Sequence, residues 1–214
     1  MRFRVVFVVL GALLVALTFT FPLWFPLLQP GADSGGVAVA IPGMTQSLQT
    51  SFLTFMPEQQ EAYLAIAETD PARAIALIRA ALQPPVPAPE DMEGMPSMVG
   101  AVRTARGTFQ RLDAIRWAQG DVSVYQQADD SQLARFENFS ASNAPDLRVL
   151  LAVPAAPTTM EELGPLEQTI DLGQLVGTVG NQNYTIPTDV DLADYFSIVL
   201  YSPSLNLIMS YATL

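Results

Sequence analysis

Asp189, Asp191 and Asp194 come nearest to a metal-ligand set in this chain, closely spaced carboxylates of the kind that bind calcium through oxygen. They lack the ligand spacing of a dedicated calcium loop, so a solvated acidic loop is the expected form. Glu161 and Glu162 adjoin in a stretch rich in Pro and Thr, with no partner carboxylate in view for acid–base work. Asn138-Phe139-Ser140 and Asn183-Tyr184-Thr185 match the glycosylation sequon, but both fall inside expected sheet segments. No catalytic, cofactor-binding or metal-ligating residue is assigned.

The absences are sharper. The 214 residues contain no Cys and no His, and all 10 basic side chains are Arg. The commonest zinc, haem and blue-copper ligand sets therefore cannot be built. Ser-His-Asp and Cys-His nucleophiles, lysine Schiff bases and the lysine of a phosphate loop are equally excluded. Carboxylates, tyrosines and bound water remain, and the expectation is a non-enzyme. The net charge of −11 includes Arg2 and Arg4, so the rest is more acidic still. Such a surface repels nucleic acid and anionic lipid headgroups and favours solubility.

The elements that must position any site begin with the first thirty residues. From Val5 through Leu14 and Trp24 to Gly31 there is no charged side chain. That length suffices to cross the hydrocarbon core. Arg2 and Arg4 before the span and Asp33 after it place the N-terminus inside and everything beyond outside. The alternative is a cleaved signal peptide, with Ala38-Val39-Ala40 as a small-residue site and a secreted product. Against it stand the length of the run and the interfacial aromatics Phe19, Phe21, Trp24 and Phe25.

Gly31 to Gly43 reads as a flexible tether. Pro57-Glu58 and Asp70-Pro71 each read as a helix start. Ile75, Ile78 and Leu82 form an apolar stripe that must pack on the C-terminal domain or on another subunit. Five prolines between Pro84 and Pro96 read as an extended, solvated linker. Beyond Gly100, short alternating segments such as Leu147–Val153 are separated by turn residues, which argues for an antiparallel sandwich or barrel. The expected chain is mainly β. A transmembrane signal-anchor spans 1–30, a tether 31–56, a helical hairpin 57–83, a Pro-rich linker 84–99 and an antiparallel β-sandwich 100–214.

Several motifs in that last part fall in a familiar order: Gly107-Thr108-Phe109, Leu133–Phe139, Ala144-Pro145-Asp146-Leu147, Ile170–Gly173 and Gly177–Pro187. Together with Tyr195–Leu200 and Ala212-Thr213-Leu214 they resemble the electron-transfer DM13 (DM-thirteen) domain, a small extracytoplasmic all-β module. The resemblance implies a redox role resting on a cysteine after the aromatic of a late strand, where this chain has Ser202. It also implies that Arg116, beside Trp117, stands where relatives often carry histidine. Serine cannot cycle through thiol oxidation states. Read as residues, Asp146, Gly180, Asn181, Gln182, Asn183 and Tyr184 are turn formers, amides for an irregular loop and a packing ring. A ligand contact is the alternative role.

Two functions follow as expectations. One is a membrane-anchored interaction module, an accessory subunit with a protein partner in the envelope, reached through Ile75, Ile78 and Leu82. The other is a redox or ligand-binding domain without thiol chemistry. No cofactor is named, and any small ligand is unknown.

Overall fold

Alternating apolar side chains after residue 100 resolve into two four-stranded sheets in a computed structural model that describes residues 41–89 and 100–214. The first sheet has the order β1-β2-β3-β6. Its strands are β1 (Val102–Thr108), β2 (Ala118–Gln126), β3 (Gln132–Ala141) and β6 (Gln182–Ile186). The second, β5-β4-β7-β8, holds β4 (Arg148–Ala152), β5 (Ile170–Gln174), β7 (Ser197–Ser202) and β8 (Leu207–Thr213). Every neighbouring pair is antiparallel.

Register explains the core. Val122 opposes Phe136 and Val124 opposes Ala134 in one sheet, while Val149 opposes Leu200 and Leu151 opposes Ile198 in the other. All eight are buried in one shared core, as the period of two requires for facing sheets. Phe109, Phe136 and Phe139 stack at its centre with ring centroids 4.9–5.2 Å apart. The sheets are stitched at one edge, where the Gln110 amide donates to the Tyr211 carbonyl at 2.8 Å. Ser210 Oγ donates to the Gln110 carbonyl at 2.7 Å. The sandwich architecture agrees with the expected fold.

Ahead of the sandwich lie α1 (Gln46–Phe52), α2 (Pro57–Thr69) and α3 (Pro71–Ala81). The stretch read as the end of the tether thus holds a helix. Thr45 caps it, and Leu48 and Phe52, four residues apart, bury one side. The expected pair is present as α2 and α3. Asp70 caps α3 by accepting from the Arg73 amide at 2.9 Å, with Pro71 at the first helical position.

The apolar stripe has its partner within the chain. Ile75 and Ile78, read as a possible contact for another protein, are buried in the same core as the sandwich strands, and only Leu82 stays 38% exposed. Burying aliphatic side chains of this size stabilises by roughly 2 kcal/mol each, so the helices are part of the folded unit.

The outer face of the second sheet is also covered. Leu150, Val199, Tyr201 and Ile208 pack with Leu163 of α4 (Met160–Leu163) in a second cluster. Both faces of β4 and β7 are therefore dry, and Val149–Ala152 and Ile198–Tyr201 read as continuous apolar runs.

The anchor expected over residues 1–30, with Val5, Leu14 and Trp24, lies outside the described residues, as do most of the tether's first part and residues 90–99 of the linker. Among the described residues no helix is long and apolar enough to cross a membrane. The described part of the linker is not a solvated spacer. Thr178 donates its amide to the Val86 carbonyl at 2.7 Å, and the Ala88 amide donates to the Val179 carbonyl at 2.7 Å. Alternating prolines hold the segment extended, so it docks along the loop before β6 as a short parallel bridge.

Candidate functional site

Between α3 and two loops of the sandwich lies a groove of about 620 Å³. Ala76, Arg79 and Ala80 of α3 form one side, with Pro84 and Val86 following. The loops 143–147 and 174–178 form the rest. The volume falls in the range of small-molecule sites, and the lining is mainly apolar with a few polar groups, as such sites require. Arg79 and Asp146 are its charged side chains, and among the described residues neither forms an ion pair.

The residues singled out from sequence stand mostly behind this wall. Gln182 Oε1 accepts from the Gly177 amide at 3.1 Å and Gln182 Nε2 donates to the Gly177 carbonyl at 2.9 Å. Tyr184 accepts at its hydroxyl from the Val176 amide at 3.1 Å and donates to Gln182 Oε1 at 2.8 Å. Burial pushes the Tyr184 hydroxyl up to about 12. Ser202, fully buried, donates from Oγ to the Pro145 carbonyl at 2.7 Å. Asp146 follows with φ 51° and is exposed at the groove. Gln182, Tyr184 and Ser202 thus hold the backbone of both loops.

The remaining motif residues brace the neighbouring turn. Asn181 Oδ1 accepts from the Asn138 amide at 2.9 Å, where Asn138 has φ 51°. Gly180 takes φ 110°, a conformation side chains resist. Asn183 Oδ1 accepts from Arg135 at 3.2 Å. Gly177 has a steric role: a Cβ there would collide with the Ala88 backbone and lie 2.8 Å from the Val86 carbonyl. Its lack of a side chain lets the Pro-rich segment close one side of the groove.

The aspartates read as a calcium candidate are exposed and do not converge. Asp191 instead caps the short turn Leu192–Asp194, accepting from the Ala193 amide at 3.0 Å. Among the described residues no cluster of three or more Asp or Glu is placed to hold a metal ion. Thr159 caps α4, and Glu162 within it reaches back to Thr158, accepting from its amide at 2.8 Å and hydroxyl at 2.7 Å, which holds the carboxyl below its usual range. Arg116, at the position tied to histidine, is locked onto Asp113 at 2.6 Å.

Sequence reasoning missed Arg79, Asn143 and the docked segment. Asn143 Nδ2 donates to the Gln83 carbonyl at 2.8 Å across 60 residues. No local pattern announces such a contact.

An antiparallel two-sheet sandwich, its loops braced by buried amides and hydroxyls, defines a small all-β domain. The family model Electron transfer DM13 matches residues 108–214, from the end of β1 through β8, and the chain belongs to that family. This makes the sandwich a redox-related module. No curated protein and no solved structure matches the chain.

Proposed function

We propose that this chain is a membrane-anchored, non-catalytic binding module of an electron-transfer system, whose sandwich offers a docking groove in place of a redox couple of its own. The observation that carries this reading is Ser202. At the position where the family resemblance places a cysteine, a fully buried hydroxyl is committed to the Pro145 carbonyl at 2.7 Å and so shapes the groove wall. The anchor part rests on the uncharged run from Val5 to Gly31. The partner, in this reading, lies in the same envelope and enters the groove beside Arg79 and Asp146. Helix stripe residues Ile75 and Ile78 take no part, since they are already buried.

The test is purification of the full-length chain from its native membranes in mild detergent, with co-purifying chains and small molecules identified by mass spectrometry. A stoichiometric set that disappears when Ala80→Trp fills the groove supports the reading. A reversible redox wave, or a visible chromophore retained by the purified chain, overturns it.

A further inference from the structure

A second cavity, of about 220 Å³, lies on the other side of the Pro84-Pro85 step. Pro84 borders the first groove and Pro85 this one, while Gln83 and Asn143 border both. Its aromatic walls come from two parts of the chain. Phe55, just before α2, and Tyr63 of α2 pack with centroids 5.5 Å apart, and Trp117, just before β2, comes from the sandwich. Gln59, Gln83 and Asn143 also line it, with Gln59 Oε1 already accepting from the Met56 amide at 3.2 Å. Asn143 Nδ2 is already committed to the Gln83 carbonyl, which leaves its carbonyl oxygen as the group to offer.

Among the described residues no Arg, Asp or Glu lines this cavity. Tyr63 is pushed up to about 12, first by burial and then by the Asp113 carboxylate, which Arg116 pairs at 2.6 Å. Three aromatic residues, amide groups and the acidic balance of the whole chain favour a cation over an anion. A compact ammonium ion such as Lys would need hydrogen-bond acceptors on all sides. A methylated cation needs only ring faces and a dry wall.

We propose that the Phe55–Tyr63–Trp117 cavity is a binding site for an organic cation of the quaternary-ammonium class. The charge sits against the rings, and the amides of Gln83 and Asn143 meet the polar end. The site uses none of Gln182, Tyr184 and Ser202, and shares Gln83 and Asn143 with the groove.

The experiment is calorimetric titration of the full-length chain in maltoside micelles with choline chloride, against sodium chloride at matched ionic strength. The uncharged isostere 3,3-dimethylbutan-1-ol serves as the comparison. Expected is saturable choline binding, with the alcohol about tenfold weaker or more, the size of effect a cation over desolvated rings produces. Trp117→Leu lowers choline affinity about tenfold and Trp117→Phe lowers it less. Equal binding of alcohol and choline, absence of saturable heat, or an unaffected Trp117→Leu variant overturns the proposal. If thermal melts show that Trp117→Leu does not fold, the choline-to-alcohol ratio on the unaltered chain decides by itself. Glycerophosphocholine separates two sources: binding of both assigns the site to a lipid headgroup, and binding of choline alone to a free cation.

Discussion

Ser202 and Pro145, 57 positions apart, are joined by one hydrogen bond from the serine hydroxyl to the proline carbonyl at 2.7 Å. It ties the end of β7 to the turn that carries Asp146 into the groove. The contact is fully buried on the serine side, so the hydroxyl has no water as an alternative.

Ser202→Ala orphans the Pro145 carbonyl and should lower stability by about 1–2 kcal/mol, read from urea unfolding midpoints. Ser202→Cys puts a thiol where the family resemblance places one, yet the site stays buried. Its labelling by a thiol reagent should require unfolding of the chain. Rapid labelling in the native state would show that the β7 end opens and that the groove wall is not fixed by this residue.

Gln182→Leu removes three hydrogen bonds at once, two to Gly177 and one from Tyr184. Leaving buried backbone groups unpaired should cost roughly 3 kcal/mol, with Tyr184→Phe costing about 1 kcal/mol. A double-mutant cycle should show strong coupling between the two. Additive losses would mean that the two side chains do not act as one brace.

Gly177→Ala should free the Pro-rich segment while leaving the sandwich intact, because its Cβ meets backbone that cannot yield as a side chain tip would. Loss of stability should be about 2 kcal/mol. Amide exchange at Ala88, which donates to Val179 at 2.7 Å, should accelerate ahead of the β2–β3 amides. Unchanged exchange at Ala88 would show that the approach at Gly177 is not needed for docking.

Alkaline pH should destabilise this chain through tyrosine. Tyr63 and Tyr184 rise from 10.0 in the unfolded chain to about 12 when folded, both chiefly by burial. Their contribution is fully present below pH 10 and is lost as pH rises toward 12, because the folded state retains protons that the unfolded chain releases. With no Lys or Cys to titrate in that window, the tyrosines dominate it. Urea midpoints should fall between pH 9.5 and about 11.5 in the unaltered chain, a pH range set by these values. The Tyr63→Phe/Tyr184→Phe pair should flatten that slope, and a persistent slope would place the cause elsewhere.

Much of the architecture was legible because it is local. Period-two alternation marks β2, β4, β7 and β8, and Asp70-Pro71 marks the start of α3, since caps and pleats depend on neighbours a few residues away. The burial of both faces of β4 was not legible: whether Leu150 meets solvent or α4 depends on a loop that returns from elsewhere. The same holds for Ile75 and Ile78. Their spacing shows that they must be covered but not by what.

What the sequence determined by itself is the chemistry this chain lacks. Without thiol, imidazole or lysine amine, whole classes of catalysis and ligation are closed whatever the fold, because reactivity follows from the atoms present. It also determined that a β domain occupies the second half, because alternation and turn residues act locally, while the resemblance of its motifs implied the DM13 type. Only tertiary structure decided what the motif residues do. Gln182, Tyr184 and Ser202 carry polar atoms that, once buried, must find partners. Which partners they find, and so that they brace the groove wall beside Arg79 and Asp146, depends on contacts across tens of residues that no sequence pattern specifies.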